Sequence, residues 1–231
     1  DQAPDNYYRQ LNLADATATV TFNANGGRYE RTYFASAPDS IIVMRFRAMG
    51  GAKINGKFAF DSQWPHHVNA GEAVMAMDGY AAYHSLPGYY ARTKQHYWYD
   101  ENRGVHFRAM LQLIPVDGTV QNDGIQGLMV KDCTDLTVVM AMATSFNGFD
   151  KDPVKEGRPY KEIAASRLEK AKCLAWEKLM ANHVADYQRL FNRVWIDLGK
   201  TDDSIKRLNT DEQLRRYTDL RENNPELEVL Y

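Results

Sequence analysis

From Ala16 to Thr144 apolar and polar residues alternate with a period of two, the pattern of half-buried antiparallel strands. Ala16, Ala18, Val20 and Phe22 share one face, and Thr17, Thr19 and Thr21 share the other. Asn25-Gly26-Gly27 offers the positive φ that a tight hairpin needs, and Arg28–Ala35 then returns. Ser40–Ala48 predicts a third strand, with Ile42, Met44 and Phe46 opposite Arg45 and Arg47. The cleanest alternation sets Val105, Phe107, Ala109, Leu111 and Leu113 against His106, Arg108, Met110 and Gln112. Asp117-Gly118 and Asn122-Asp123-Gly124 punctuate two more turns, and Leu136, Val138, Met140 and Met142 close the set. Many strands and hairpin turns with few helices predict a large antiparallel β-sandwich over residues 1–150. Between Lys53 and Tyr99 the pattern loosens. Asp61–His67 and the aromatic stretches Tyr89-Tyr90 and His96–Tyr99 read there as loops, the segments that most often carry function.

Near Asp150 the period changes. Asp152-Pro153 and Gly157-Arg158-Pro159 form an exposed connection, after which one continuous helix is expected from about Tyr160 to Arg193. Ile163, Leu168, Ala171, Leu174 and Leu179 lie on its inward side, followed by Tyr187, Leu190 and Phe191 at offsets of three and four. After Arg193 the period returns to two. Val194, Ile196 and Leu198 then alternate with Trp195 and Asp197, which predicts a short strand ended by Gly199. Residues 151–199 thus read as a helical linker closing in a strand. Residues 200–231 read as short helices opened by Thr201–Ser204, Asn209–Glu212 and Asn223–Glu226. The fold class is mainly β with C-terminal helices.

A net charge of −2 over 231 residues builds no field that gathers nucleic acid or anionic lipid. No apolar run approaches the roughly 18 residues of a membrane span. The first residues, DQAPDNYY, do not read as a signal peptide but as a cut edge or a mature start, so they say little about compartment. The two cysteines, Cys133 and Cys173, show no metal spacing and read as buried thiols. Asn-x-Ser/Thr glycosylation sites are absent.

Several motifs, in order, resemble glycoside hydrolase family 95, the 1,2-α-L-fucosidase family. Tyr8–Leu13 with Ala16–Phe22 resembles its opening strand, and Thr32–Ile42 (TYFASAPDSII) its reverse-turn segment. Ala143–Phe146 with Gly148–Asp150 resembles a strand end. His183, Asp186-Tyr187, Leu190-Phe191, Arg193-Val194 and Asp197–Gly199 resemble the end of its linker helix. The resemblance implies a supersandwich-like β-domain and a helical linker that seat an (α/α)6 catalytic barrel. It implies that the family's first strands precede Asp1, and that Pro225–Tyr231 leads into a barrel that continues beyond this chain. It also implies a bacterial, exported protein, periplasmic or extracellular, whose partners are a carbohydrate substrate and its own barrel.

No catalytic residue transfers, because no position matches one. The residues themselves agree. An inverting glycosidase sets an acid and a base about 6.5–9.5 Å apart across the sugar, and no such pair stands out among the acidic residues. Asp132/Asp135 and Asp202/Asp203 read as turn and N-cap carboxylates. No G-x-S-x-G, H-E-x-x-H, phosphate loop or dinucleotide fingerprint is present, so no cofactor is expected. His66-His67 does not read as a metal site, since neighbouring side chains on an extended chain point apart and no third ligand is spaced nearby. Trp64, His66 and His67, with Tyr97 and Trp98, are candidates for a sugar-contacting rim, against the plainer reading that these rings pack the sandwich. His183, Asp186 and Arg193 read as structural, fixing helix to sandwich.

Three functions follow: the supporting part of an exo-acting α-L-fucosidase or α-L-galactosidase, a free-standing carbohydrate-binding or adhesion module, and the sandwich of another enzyme such as a glycoside phosphorylase or lyase. The first also leaves apolar surface that invites self-association.

Overall fold

The computed structural model describes residues 3–90 and 94–230. The order begins β1 (Asp5–Asn12), β2 (Thr17–Ala24), β3 (Gly27–Ser36) and β4 (Ile41–Met49). Next come β5 (Ile54–Ala59), β6 (His66–Ala70), β7 (Val74–Tyr80) and the two-residue strands β8 (His84–Ser85) and β9 (Tyr97–Trp98). Four longer strands complete the β part: β10 (His106–Pro115), β11 (Thr119–Asn122), β12 (Gly127–Cys133) and β13 (Asp135–Thr144). The helices are α1 (Tyr160–Lys172), α2 (Trp176–Phe191), α3 (Asp203–Lys206), α4 (Thr210–Asp219) and α5 (Pro225–Leu230). The chain divides into two compact units, Asp1–Tyr187 and Gln188–Tyr231.

The first unit is mainly β and antiparallel. Eight strands form one sheet in the order β1-β2-β3-β4-β13-β10-β7-β6, and three form a second in the order β11-β12-β5. Alternation explains how they pack. Met75, Leu111, Leu113, Leu136 and Val138 point from the large sheet to Leu128, Val130 and Cys133 of the small one. One residue along, Ile41, Val43, Val139 and Ala141 point the other way, where they meet Leu168 and Ala171 of α1 and Leu179 of α2. The central strands are therefore covered on both faces, by a sheet on one side and by helices on the other. Asn25 (φ 52°) and Gly26 (φ 77°) form the tight turn between β2 and β3, as their positive φ requires.

Several expectations are corrected. The single helix is two: the i→i+3 bond from Leu174 N–H to the Ala171 carbonyl (3.0 Å) tightens the end of α1, and Ala175 O opens α2 by accepting from Leu179 N–H at 3.1 Å. A straight rod of that length would run about 50 Å and leave the sheet, whereas the break holds Leu168, Ala171 and Leu179 in one cluster. The strand expected at Val194–Leu198 is absent among the described residues. Alternation alone does not make a strand; the backbone needs a partner to bond. Leu190 and Phe191, expected inward, are exposed. His66 and His67 lie on strand β6, and Tyr97 and Trp98 on β9, where loops were expected. Of the two thiols, Cys133 is buried and Cys173 exposed, and both are free.

The second unit is held by a buried amide. Asn224 is 1% exposed. Its Oδ1 accepts from the Thr201 hydroxyl at 2.7 Å and from Leu227 N–H at 3.0 Å, while its Nδ2 donates to Gln213 at 3.0 Å. One side chain thus caps α5 and ties it to α4 and to Thr201, just ahead of α3. Asp202 caps α3 by accepting from Ser204 N–H at 2.8 Å, in line with its sequence reading. Tyr231, the end of the expected lead-in helix, lies outside the described residues.

Candidate functional site

Two cross-strand rows build a polar corner on the helix-covered face of the large sheet. The register sets His67 opposite Asp78, and Asp78 opposite Arg108. Opposed residues share a face, so the three side chains line up across β6, β7 and β10. Two residues along, Tyr80 faces His106 on that same face. Tyr160 and Lys161, the first residues of α1, complete the lining of a cleft of about 470 Å³.

Arg108 grips Asp78 with two parallel bonds, Nε to Oδ1 at 2.7 Å and Nη2 to Oδ2 at 2.6 Å. The carboxylate is 4% exposed. Burial pushes its pKa up, but the bonds and charge of Arg108 outweigh burial and hold it below the ordinary carboxylate value. His67 Nε2 stands 3.7 Å from the same carboxylate. His106 lies 2.7 Å through Nε2 from the Glu101 carbonyl, which can only accept. In the neutral ring that places the proton on Nε2, and Nδ1 accepts from the Tyr160 hydroxyl at 3.3 Å. Burial first, and the Asp78 charge second, raise the Tyr160 pKa, so the phenol keeps the proton it donates. The His106 N–H donates to the Ser145 hydroxyl at 2.9 Å, and the Ser145 carbonyl accepts from Arg158 N–H at 2.9 Å. The start of α1 is thereby pinned beside the sheet.

This arrangement presents donors and acceptors, and its buried carboxylate, Asp78, is not placed to act as an acid. Both oxygens of Asp78 are occupied and its pKa is lowered, whereas a glycosidic general acid needs a raised one. Elsewhere the shifted carboxyls also move down. Asp117 falls to about 2, chiefly through its bond from Thr134 N–H. Asp123 falls to about 2 beside Lys57, and Glu212 to about 2 beside Arg215. Among the described residues no group of three or more His, Cys, Asp and Glu is placed to hold a metal ion.

The expected rim divides. His66 and His67 line the cleft. Trp64 does not; its ring packs 5.8 Å from Phe107, whose place in the alternation is opposite to that of His106 and Arg108. Gly79 makes room for this packing, since a Cβ there would meet the Phe107 ring and the Pro65 carbonyl at 2.5 Å. Tyr97 and Trp98 sit on the β8–β9 ribbon, with Trp98 at 4.9 Å from His84. Sequence reasoning did not single out Asp78, Tyr80, Arg108, His106 or Tyr160 as a group. The one available signal was the polar face of the β10 alternation.

Of the three linker residues, His183 is buried, stacks at 4.8 Å on Phe34, and its Nε2 donates to the Asp15 carbonyl at 2.9 Å. Tyr187 adds a hydroxyl bond to the Leu13 carbonyl at 2.6 Å, and Asn182 reaches Asp39 at 3.2 Å. Together they fasten α2 to the turns flanking β2 and β3. Asp186 is half-buried on α2, and Arg193 lies in the exposed turn after it. Asp135, read as a turn carboxylate, instead accepts two bonds from Arg45, at 2.9 and 2.6 Å.

Residues 1–148 match the family model described as glycosyl hydrolase family 65, N-terminal domain. Residues 175–231 match the model of the glycosyl hydrolase family 95 catalytic domain, so the stretch from α2 onward falls within that model. The curated α-L-fucosidase 2 of Arabidopsis thaliana is 26% identical over 219 residues, covering 91% of this chain and 26% of that protein. A solved structure assigned as a kojibiose phosphorylase from the human microbiome shares the fold, with a TM-score of 0.50 and 12% identity over 93% of this chain and 26% of that one. The chain spans about a quarter of the length of both relatives. It belongs to the glycosyl hydrolases, as a family 65-type N-terminal domain continuing into a stretch of family 95 catalytic domain.

Proposed function

We propose that this chain is the supporting N-terminal part of an exo-acting glycoside hydrolase of the α-L-fucosidase (or α-L-galactosidase) kind, which inverts configuration at the released sugar. The acid and base that cleave the bond belong to the part of the catalytic domain that lies outside residues 1–231. The observation that carries this is electrostatic. Every described carboxyl with a displaced pKa is held low by a cation or by N–H and O–H donors, so none of these is poised to give up a proton to a leaving group. The match to an α-L-fucosidase over 91% of the chain supports the substrate class. The role of residues 3–187 is then mechanical: a sheet covered on both faces by packed layers is a rigid base, and α2 is bolted to it through His183 and Tyr187.

The test uses the full-length protein with an α-L-fucoside and an α-L-galactoside, following the anomer of the released sugar by NMR. Initial appearance of the β-anomer from the fucoside is the expected result. A phosphate-dependent release of sugar phosphate, or turnover by residues 1–231 alone, overturns the reading.

A further inference from the structure

The polar cleft beside α1 has a volume of about 470 Å³, and hydrogen bonds of Arg108, Asp78, His106 and Tyr160 fix its floor. We propose that this cleft binds an uncharged pyranoside unit, giving the β-domain its own contact with glycan. The charge balance argues for a neutral ligand. Arg108 already neutralises Asp78, and the remaining cation and anion of the lining, Lys161 and Glu101, offset each other. That volume accommodates one or two sugar rings.

The lining supplies what a sugar's hydroxyls bond to. His67 offers Nε2, which at 3.7 Å from Asp78 is too far for a bond of its own. Lys161 has no ion-pair partner among the described residues, and its Nζ sits 5.8 Å from the Tyr160 ring. The Tyr160 oxygen donates to His106 and keeps lone pairs to accept. Tyr80 and Tyr160, each 5.9 Å from the His106 ring, add the aromatic carbon that a pyranose C–H face packs on. The floor is pre-organised, since the Arg108 fork holds Asp78 and the His106 bonds hold Tyr160, and pre-organisation lowers the cost of binding. The choice of a sugar over another polyol rests on the glycoside-active family of the chain. It does not rest on the hydrolysis proposed above, and either can fail alone.

The experiment titrates the 231-residue chain with methyl α-L-fucopyranoside, methyl α-L-galactopyranoside and, as a control polyol, glycerol. Amide shifts of His67, Asp78 and Lys161 are followed by NMR, with circular dichroism of every variant to verify folding. Saturable shifts with a millimolar Kd are expected for at least one pyranoside and not for glycerol. His67→Ala and Lys161→Met should each weaken binding about five- to tenfold, the loss of one hydrogen bond. Trp64→Ala should leave it unchanged. Absence of saturable shifts up to about 100 mM, equal response to glycerol, or loss of binding in Trp64→Ala but not in folded His67→Ala overturns the proposal.

Discussion

Replacing Arg108 by methionine keeps the aliphatic stem against the sheet and removes the charge that holds Asp78 ionised. The carboxylate left behind is 4% exposed, with His67 Nε2 at 3.7 Å as its closest remaining basic group. Stranding one partner of a buried pair costs about 3–5 kcal/mol. Arg108 keeps some water, with 21% of its side chain exposed, so the lower end, about 3 kcal/mol, is expected at neutral pH. The pH dependence identifies the cause. In the native protein Arg108 keeps the Asp78 pKa below its unfolded value, so this stability is present above pH 4 or so and is lost as pH falls through the lower folded value. In Arg108→Met burial, the largest influence on Asp78, is opposed only by the charges of Lys161 and His67, and the shift reverses. The carboxyl then costs nothing below its unfolded pKa, costs more as pH rises from there towards the raised folded value, and levels off above it. The penalty relative to the native protein should therefore shrink steadily between neutral pH and about pH 4. Urea unfolding over that range measures it. Adding Asp78→Leu to Arg108→Met should recover most of the loss, because two apolar groups of similar shape replace the pair. A penalty that ignores pH, or a double variant no more stable than Arg108→Met, would refute the argument.

Three further outcomes test the frame. Gly79→Ala places a Cβ 2.5 Å from both the Phe107 ring and the Pro65 carbonyl, and should cost about 1–3 kcal/mol. Phe107→Leu in the same chain should return part of it, measured by a double-mutant cycle in urea. His183→Ala removes the bond to the Asp15 carbonyl and the stack on Phe34, and should cost about 2 kcal/mol. Hydrogen exchange should quicken in α2 before it does in β13; uniform quickening counts against α2 being fastened locally. Asn224→Ala leaves Thr201 and Gln213 short of partners and uncaps α5, for about 2–3 kcal/mol. Limited proteolysis should then cut within Gln188–Tyr231 first, and a cut pattern like that of the parent chain would contradict this role.

What was readable from the residues divides along a physical line. The hairpin β2–β3, the strands β4, β10 and β13 and the apolar stripe of Leu168, Ala171 and Leu179 were legible, because each is a local periodicity. β7 was not. Its run VMAMDGY shows no alternation, since Met75 and Met77 face the small sheet and Val74 packs against the helix side, and a strand buried on both faces has no polar side to mark it. Val194–Leu198 failed in the opposite way. It carries the period of a strand, but no paired strand among the described residues satisfies its backbone.

The polar cleft failed for a third reason. His106 and Arg108 were visible as the hydrophilic side of an alternating strand, and His67 stood out as half of a histidine pair. What joins them is Asp78, which meets His67 through the short β6–β7 connection and Arg108 through a pairing that spans 30 residues. The first contact follows from turn length. The second depends on which strands become neighbours in the sheet, and that order is settled by the burial of Met75, Leu111 and Val138 against the small sheet and not by anything near Asp78 in sequence. The polar row is thus a consequence of apolar packing one residue out of phase. A substitution such as Val138→Asp should accordingly disturb the cleft as well as the core, by loosening the register that holds Arg108 opposite Asp78.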